Sequence, residues 1–166
     1  MNYIFKSKVD NFEKIKVELL EKINLIPTNS FKDSSQNIMH TDWNIPTTVH
    51  REYASLFFET VKPHVEGVTK KLGAKFYNID NFWFQRYSGT GHHDWHTHPR
   101  SHFSNVFFLE CPENASTKFK NIEVNCEEGD VLSFPAFLPH RSAPFASNLI
   151  KTVIAFNSNF DVNPIS

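Results

Sequence analysis

At 166 residues and 40% hydrophobic content the chain has the length of one domain and enough apolar material for a buried core, and a second domain is not expected. A net charge of -1 and a pI near 6.7 give no electrostatic footprint for nucleic acid, which is unsupported as a partner. No stretch of about 18 apolar residues offers a membrane span, and the start MNYIFKSKVD lacks the apolar core of a signal peptide, so a cytoplasmic protein is expected.

In chain order, Asp10 with Glu13 three residues on reads as a capping box. Phe12, Ile15, Leu19, Leu20 and Ile23 then repeat at helical spacing as far as Pro27. Residues 27–46 show no period and read as a long irregular segment. From Thr48, Val49, Tyr53, Leu56, Phe57 and Val61 share a second helical face. Pro63 is expected to interrupt it before Val65, Val68 and Leu72 resume, and Gly73 to stop it.

From Lys75 the period falls to two, with Phe82, Phe84 and Arg86 on one side and Trp83, Gln85 and Tyr87 on the other. Further strands are expected at His102–Glu110, Thr117–Val124, Asp130–Pro135 and Ile150–Asn157, set off by turns such as Ser88-Gly89-Thr90-Gly91 and Glu127-Glu128-Gly129-Asp130. The aromatic residues, 17 of them Phe, cluster in these runs. Helices followed by short strands give an α+β domain over 1–166, mainly helical in 1–73 and a β-sandwich in 74–160. Cys111 and Cys126 lack the number and spacing of a disulfide framework or zinc site and read as free thiols.

Four of the nine histidines fall between His92 and His98, in the segment GHHDWHTHPR. His96 and His98 are two apart, and in extended backbone such residues point to one face, so both imidazoles would reach a single metal ion. The natural third ligand is His140, which follows the strand-like Gly129–Phe134 and a turn stiffened by Pro135 and Pro139. On its own an H-x-H pair also fits a polar loop or an adventitious metal patch.

Taken together, residues 82–157 resemble the small Fe(II)- and 2-oxoglutarate-dependent oxygenases of bacteria and their phages. The resemblance rests on Trp83, the His96–Pro99 run, Ser104-Asn105-Val106-Phe107-Phe108-Leu109, Gly129-Asp130, Phe134-Pro135, His140 and the closing Ile154-Ala155-Phe156-Asn157. It implies a double-stranded β-helix core, jelly-roll and cupin-like, with the N-terminal helices packed on one sheet. It also implies Fe(II) as metal, 2-oxoglutarate as co-substrate, O₂ as oxidant, and hydroxylation of a small-molecule or peptide substrate. Lys151 stands where the family anchors the oxoglutarate carboxylate, usually through arginine. Lysine supplies the charge without the two-pronged match of a guanidinium.

The family's usual iron ligands are two histidines and a carboxylate, whereas this chain has His98 at the second place of the pair. Either His96, His98 and His140 form a neutral triad, or Asp94 supplies the carboxylate with His92 in the H-x-D arrangement, or His98 stands behind the ligands. Gln85, Tyr87 and Asn105 are candidates to face the co-substrate, and Arg141 to meet a substrate. Two other functions stay open: a three-histidine cupin-type dioxygenase that does not use 2-oxoglutarate, and a non-enzymatic jelly-roll module that binds a ligand.

Overall fold

A computed structural model describes residues 3–161. The elements in order are β1 (Phe5–Lys8), α1 (Phe12–Ile23), β2 (Asn29–Lys32), β3 (Gln36–Thr41), α2 (Ala54–Leu72), β4 (Tyr77–Tyr87), β5 (His92–His96), β6 (Phe103–Glu110), β7 (Thr117–Phe119), β8 (Asp130–Pro135), β9 (His140–Ser142) and β10 (Lys151–Phe160). Their antiparallel pairing runs β1-β8-β6-β10-β4-β3-β5-β9-β7, with β2 on β3. This is a larger sheet, β1-β8-β6-β10-β4, folded over a smaller one, β5-β9-β7, with β3 as the seam. At one end His40 and Thr41 pair with β4; at the other Gln36 and Asn37 pair with β5. It is the double-stranded β-helix expected from the sequence.

Strand alternation divides the interior in two. Phe84, Phe107, Leu109, Val131, Ile154 and Phe156 face the helices and pack on Leu19, Ile23, Phe57, Val61, Val65 and Val68. The intervening Tyr87, Phe108, Leu132, Phe134 and Val153 face the smaller sheet. The helices therefore cover one face of the larger sheet, and the space between the sheets is left for a site.

Several sequence expectations need correction. Helix α1 begins without a capping box: its N-cap is Asn11, at φ 53°, with no side-chain hydrogen bond, in a turn entered with the Val9 N–H on the Gly129 carbonyl. Residues 27–46 are not wholly irregular, because they hold the β2–β3 hairpin, and with β1 they make the first 73 residues less purely helical than expected. Asp33 closes that hairpin by accepting hydrogen bonds from Ser35 and Gln36. Pro63 does not interrupt α2, which starts at Ala54 rather than near Thr48. Pro63 lies on the exposed face, so the carbonyl it leaves unbonded, that of exposed Glu59, is open to water. Gly73 does end the helix, in the left-handed region at φ 68°. Strand β7 stops at Phe119, short of the expected Val124.

Two buried polar nodes fix the layers. Asp42, fully buried beyond β3, accepts the Phe84 N–H at 2.7 Å, Arg51 Nε–H at 2.7 Å and Tyr53 O–H at 2.6 Å. It ties the seam strand, β4 and the approach to α2 together. On the helix side, His64 bridges Ser7 Oγ at 2.6 Å and Ser133 Oγ at 2.8 Å. Ser133 donates onward to Asn105 Oδ1, so it accepts from His64 Nε2–H, and His64 Nδ1 in turn accepts from Ser7. The chain of donors requires a neutral imidazole.

Asp42→Ala strips a buried partner from three donors and is expected to lower unfolding stability by about 3 kcal/mol in a urea titration. Burial pushes the His64 pKa down from 6.5 to about 4, with Lys71 adding to the effect. The unfolded chain then binds the extra proton first. The His64 contribution should be complete above pH 6.5, fall as pH drops from 6.5 towards 4, and amount to on the order of 3 kcal/mol. Thermal melts of His64→Gln should show a shallower loss of Tm over that window than the parent.

Candidate metal centre

Strands β5 and β9 of the smaller sheet pair so that His96 lies opposite His140. His98 follows two residues after β5 ends, held by its N–H on the Ala136 carbonyl at 2.8 Å. One ligand nitrogen from each of His96, His98 and His140 lies within 4.8 Å of the other two. The His96 and His140 rings are 4.3 Å apart by centroid, and His98 is 5.2 Å from each.

Neighbouring groups orient each ring. The Asp94 carbonyl lies 2.7 Å from His96 Nδ1, and the Leu138 carbonyl 3.0 Å from His140 Nδ1. A carbonyl only accepts, so Nδ1 carries the proton in both and the Nε2 lone pair is free for a metal. The Asn157 amide lies 3.3 Å from His98 Nδ1. Its Nδ2 also donates to Asn81 Oδ1 at 2.8 Å while its Oδ1 accepts from Ser104 Oγ–H, so it is an amide N–H that faces the His98 ring. Trp83 lies nearly parallel to the His98 ring, and Phe134 backs His140 at 4.6 Å.

Burial lowers the pKa of all three imidazoles, to about 3 for His140 and about 4 for His98, where the nearby rings add to the effect, and it lowers that of His96 as well. All are neutral at pH 7, the state in which imidazole ligates a divalent ion. Three neutral nitrogens converging from one side fit a three-histidine facial site with open positions opposite.

His92 and Asp94 lie outside this convergence. Strict alternation would set His92, Asp94 and His96 on one face, but the β5–β9 register shifts between His93 and His96. The shift leaves Asp94 exposed, and stacks His93 on His96 with ring centroids 3.8 Å apart. His93 was not singled out in the sequence, where nothing marks a bulge.

The three histidines line one cavity between the sheets together with Gln85, Tyr87 and Lys151. Lys151 is 1% exposed and donates to Ser142 Oγ at 2.9 Å, with Nζ 5.5 Å from the Tyr87 ring centroid and 5.8 Å from that of Phe108. Burial pushes its pKa down to about 8. None of the ion pairs among the described residues includes it. His140 and Ser142 sit two apart on the inner face of β9, a separation of about 7 Å, which is the length scale of a short dicarboxylic acid.

Tyr87 O–H donates to Gln85 Oε1 at 2.9 Å, and burial raises its pKa. Asn105 borders the cavity, but its amide is turned to the helix side. It accepts from Ser133 there and donates to Ser158 Oγ and the Phe156 carbonyl, which corrects the expectation that it faces the co-substrate. Arg141 stacks over Trp95 at 4.8 Å, and its Nε has no hydrogen-bond partner among the described residues. No helix among the described residues is long and apolar enough to cross a membrane.

No protein-family model matches the sequence, and no curated protein matches it. Solved structures do match. The viral collagen prolyl hydroxylase of Paramecium bursaria Chlorella virus-1, in complex with 2-oxoglutarate, is 17% identical with a TM-score of 0.65, covering 97% of each chain. A prolyl-4-hydroxylase of Pseudomonas putida is 11% identical with a TM-score of 0.69 over 98% of this chain and 95% of that one. HygX of Streptomyces hygroscopicus, with nickel, 2-oxoglutarate and hygromycin B bound, is 11% identical with a TM-score of 0.68 over 95% of this chain and 83% of its own. Almost end to end, this chain has the double-stranded β-helix fold of those 2-oxoglutarate enzymes.

Proposed function

We propose that the protein is an Fe(II)- and 2-oxoglutarate-dependent oxygenase, a hydroxylase of a small-molecule or peptide substrate, with iron held by His96, His98 and His140. The observation that carries this reading is Lys151: a fully buried ammonium that pairs with no carboxylate among the described residues, in the cavity that also holds three converging imidazoles. A buried charge without a counter-ion is costly, and an anionic ligand would remove that cost. A module that only held metal would have no use for this lysine. Nor would a dioxygenase whose substrate binds iron directly, which makes both readings weaker.

Iron(II) bound with 2-oxoglutarate and O₂ supplies oxidative chemistry that yields succinate, carbon dioxide and a hydroxylated product. This chain's residues provide the setting. The neutral triad leaves the full dipositive charge of the ion to attract an anionic oxo-acid. Lys151 and Ser142 receive the distal carboxylate, and Gln85 with Tyr87 forms a polar wall beside it. Phe108, Phe134 and Val153 keep water from the inner end. The solved relatives support this reading: two of them are prolyl hydroxylases, and HygX has 2-oxoglutarate and an antibiotic bound.

The deciding experiment is anaerobic titration of Fe(II)-loaded protein with 2-oxoglutarate, following the weak visible charge-transfer band of a chelated oxo-acid. A band at stoichiometric addition is expected, and iron binding without one would reject the proposal. His96→Ala and His140→Ala should each lose bound iron by metal analysis, as should His98→Ala, whereas Asp94→Ala should retain it. Lys151→Ala should raise the 2-oxoglutarate concentration for half-saturation by about tenfold to a hundredfold, while iron content is unchanged. Lys151→Arg should keep part of the affinity.

A further inference from the structure

Beside the metal cavity lies a second chamber of about 290 Å³. It shares Trp83, Gln85, His93 and His98 with the first, so whatever fills it abuts the metal. Its far wall comes from the hairpin that closes the seam between the sheets and from the loop after it: Phe31, Ile38 and Trp43. Trp43 is 40% exposed and stands edge-on to buried Trp83, with ring centroids 4.5 Å apart.

The lining chemistry is selective. Phe31, Ile38 and the two indoles offer hydrocarbon and ring faces beside the neutral polar Gln36, Gln85, His93, Thr97 and His98, and none of the lining residues is Asp, Glu, Lys or Arg. A charged group entering would lose part of its water and gain no counter-ion, which disfavours it against a neutral one. Hydrogen bonding is nevertheless available. Gln85 Oε1 is taken by Tyr87, but its amide nitrogen and the His93 ring have no protein hydrogen-bond partner among the described residues. The volume is at the lower edge of the roughly 300–1,000 Å³ of drug-sized sites and suits one residue or one sugar ring.

Resting on the oxygenase reading for what happens next to the metal, we propose that this chamber is the substrate-selecting subsite. It takes an uncharged group of single-residue size, with a hydrocarbon body set against Trp43 and Trp83 and a polar edge read by Gln85 and His93. The β2–β3 hairpin is then the specificity element of the fold.

The test needs no turnover. Fluorescence of the metal-free protein, in which Trp43 and Trp83 lie in the chamber, is titrated with two neutral probes, N-acetyl-leucine methylamide and methyl glucoside. The charged probes are N-acetyl-lysine methylamide and N-acetyl-aspartate methylamide. At least one neutral probe should saturate about tenfold or more below either charged one, and which neutral probe it is separates a peptide from a sugar source. Trp43→Ala should weaken that binding about tenfold, and Trp43→Phe should restore most of it. Charged probes binding as well as neutral ones, no response to either neutral probe, or undiminished binding by Trp43→Ala would each overturn the proposal. The 2-oxoglutarate titration of the parent protein is read separately. Failure there with neutral probes still bound rejects the oxygenase reading and leaves the chamber's selectivity standing.

Discussion

Strand β10 runs through the middle of the larger sheet, paired to β4 on one edge and β6 on the other, with helices over one face and the smaller sheet over the other. All its side chains but that of Asn159 are buried, so alternation decides which layer each enters. Ile154, Phe156 and Phe160 enter the helix layer, while Lys151 and Val153 enter the cavity. A slip of one residue would carry Lys151 out of the cavity to the place of Thr152, beside Glu110 and Arg86, and set an isoleucine in its stead. The register is held by Ile154 and Phe156 against α2, and by the polar chain from Ser7 through His64, Ser133 and Asn105 to Ser158.

The smaller sheet is short, and its strands are tied to the larger one chiefly through β3. That arrangement places the three converging histidines on one pair of short strands and a following loop, and Lys151 on the opposing sheet. On the proposed function, a metal held by the histidines would give the cavity one positive end, and Lys151 gives it another. An ion of two negative charges at a fixed separation suits such a site better than a single carboxylate does. The burial that depresses the histidine pKa values also depresses that of Lys151, so one dry environment prepares both ends.

Closing the seam through β3 has a second effect. The strand that completes the barrel carries a hairpin and a tryptophan-bearing loop to the rim of the metal cavity, and Asp42 locks that loop to β4 and to the approach to α2. The wall of the second chamber therefore rests on a rigid node rather than on a free loop. Phe31, Ile38 and Trp43 lie on elements other than those that carry the converging histidines, and Trp43 meets them only through Trp83, which stacks on His98.

Much of this was legible in the chain itself. Period-two alternation in Phe82–Tyr87 and the apolar runs at 102–110 and 130–135 gave strands and their faces, because a buried face repeats locally. The spacing of His96 and His98, with His140 after a proline-bounded turn, gave the three imidazoles, and Lys151 was marked by lying in an apolar strand. Other features had no local signal. Strands β1, β2, β3 and β9 are three to six residues long and take their hydrogen bonds from distant partners, so only the assembled sheets make them strands. Asn105 turned away from the cavity because Ser133 and Ser158 meet it on the helix side. His93 stacks on His96 where the register between β5 and β9 shifts and strict alternation is broken. Residue type and spacing determined which groups were present and roughly how they alternate. Which way each points, and what stands opposite, was decided by pairing between segments far apart in sequence, where burial and hydrogen bonding are satisfied only after the two sheets close.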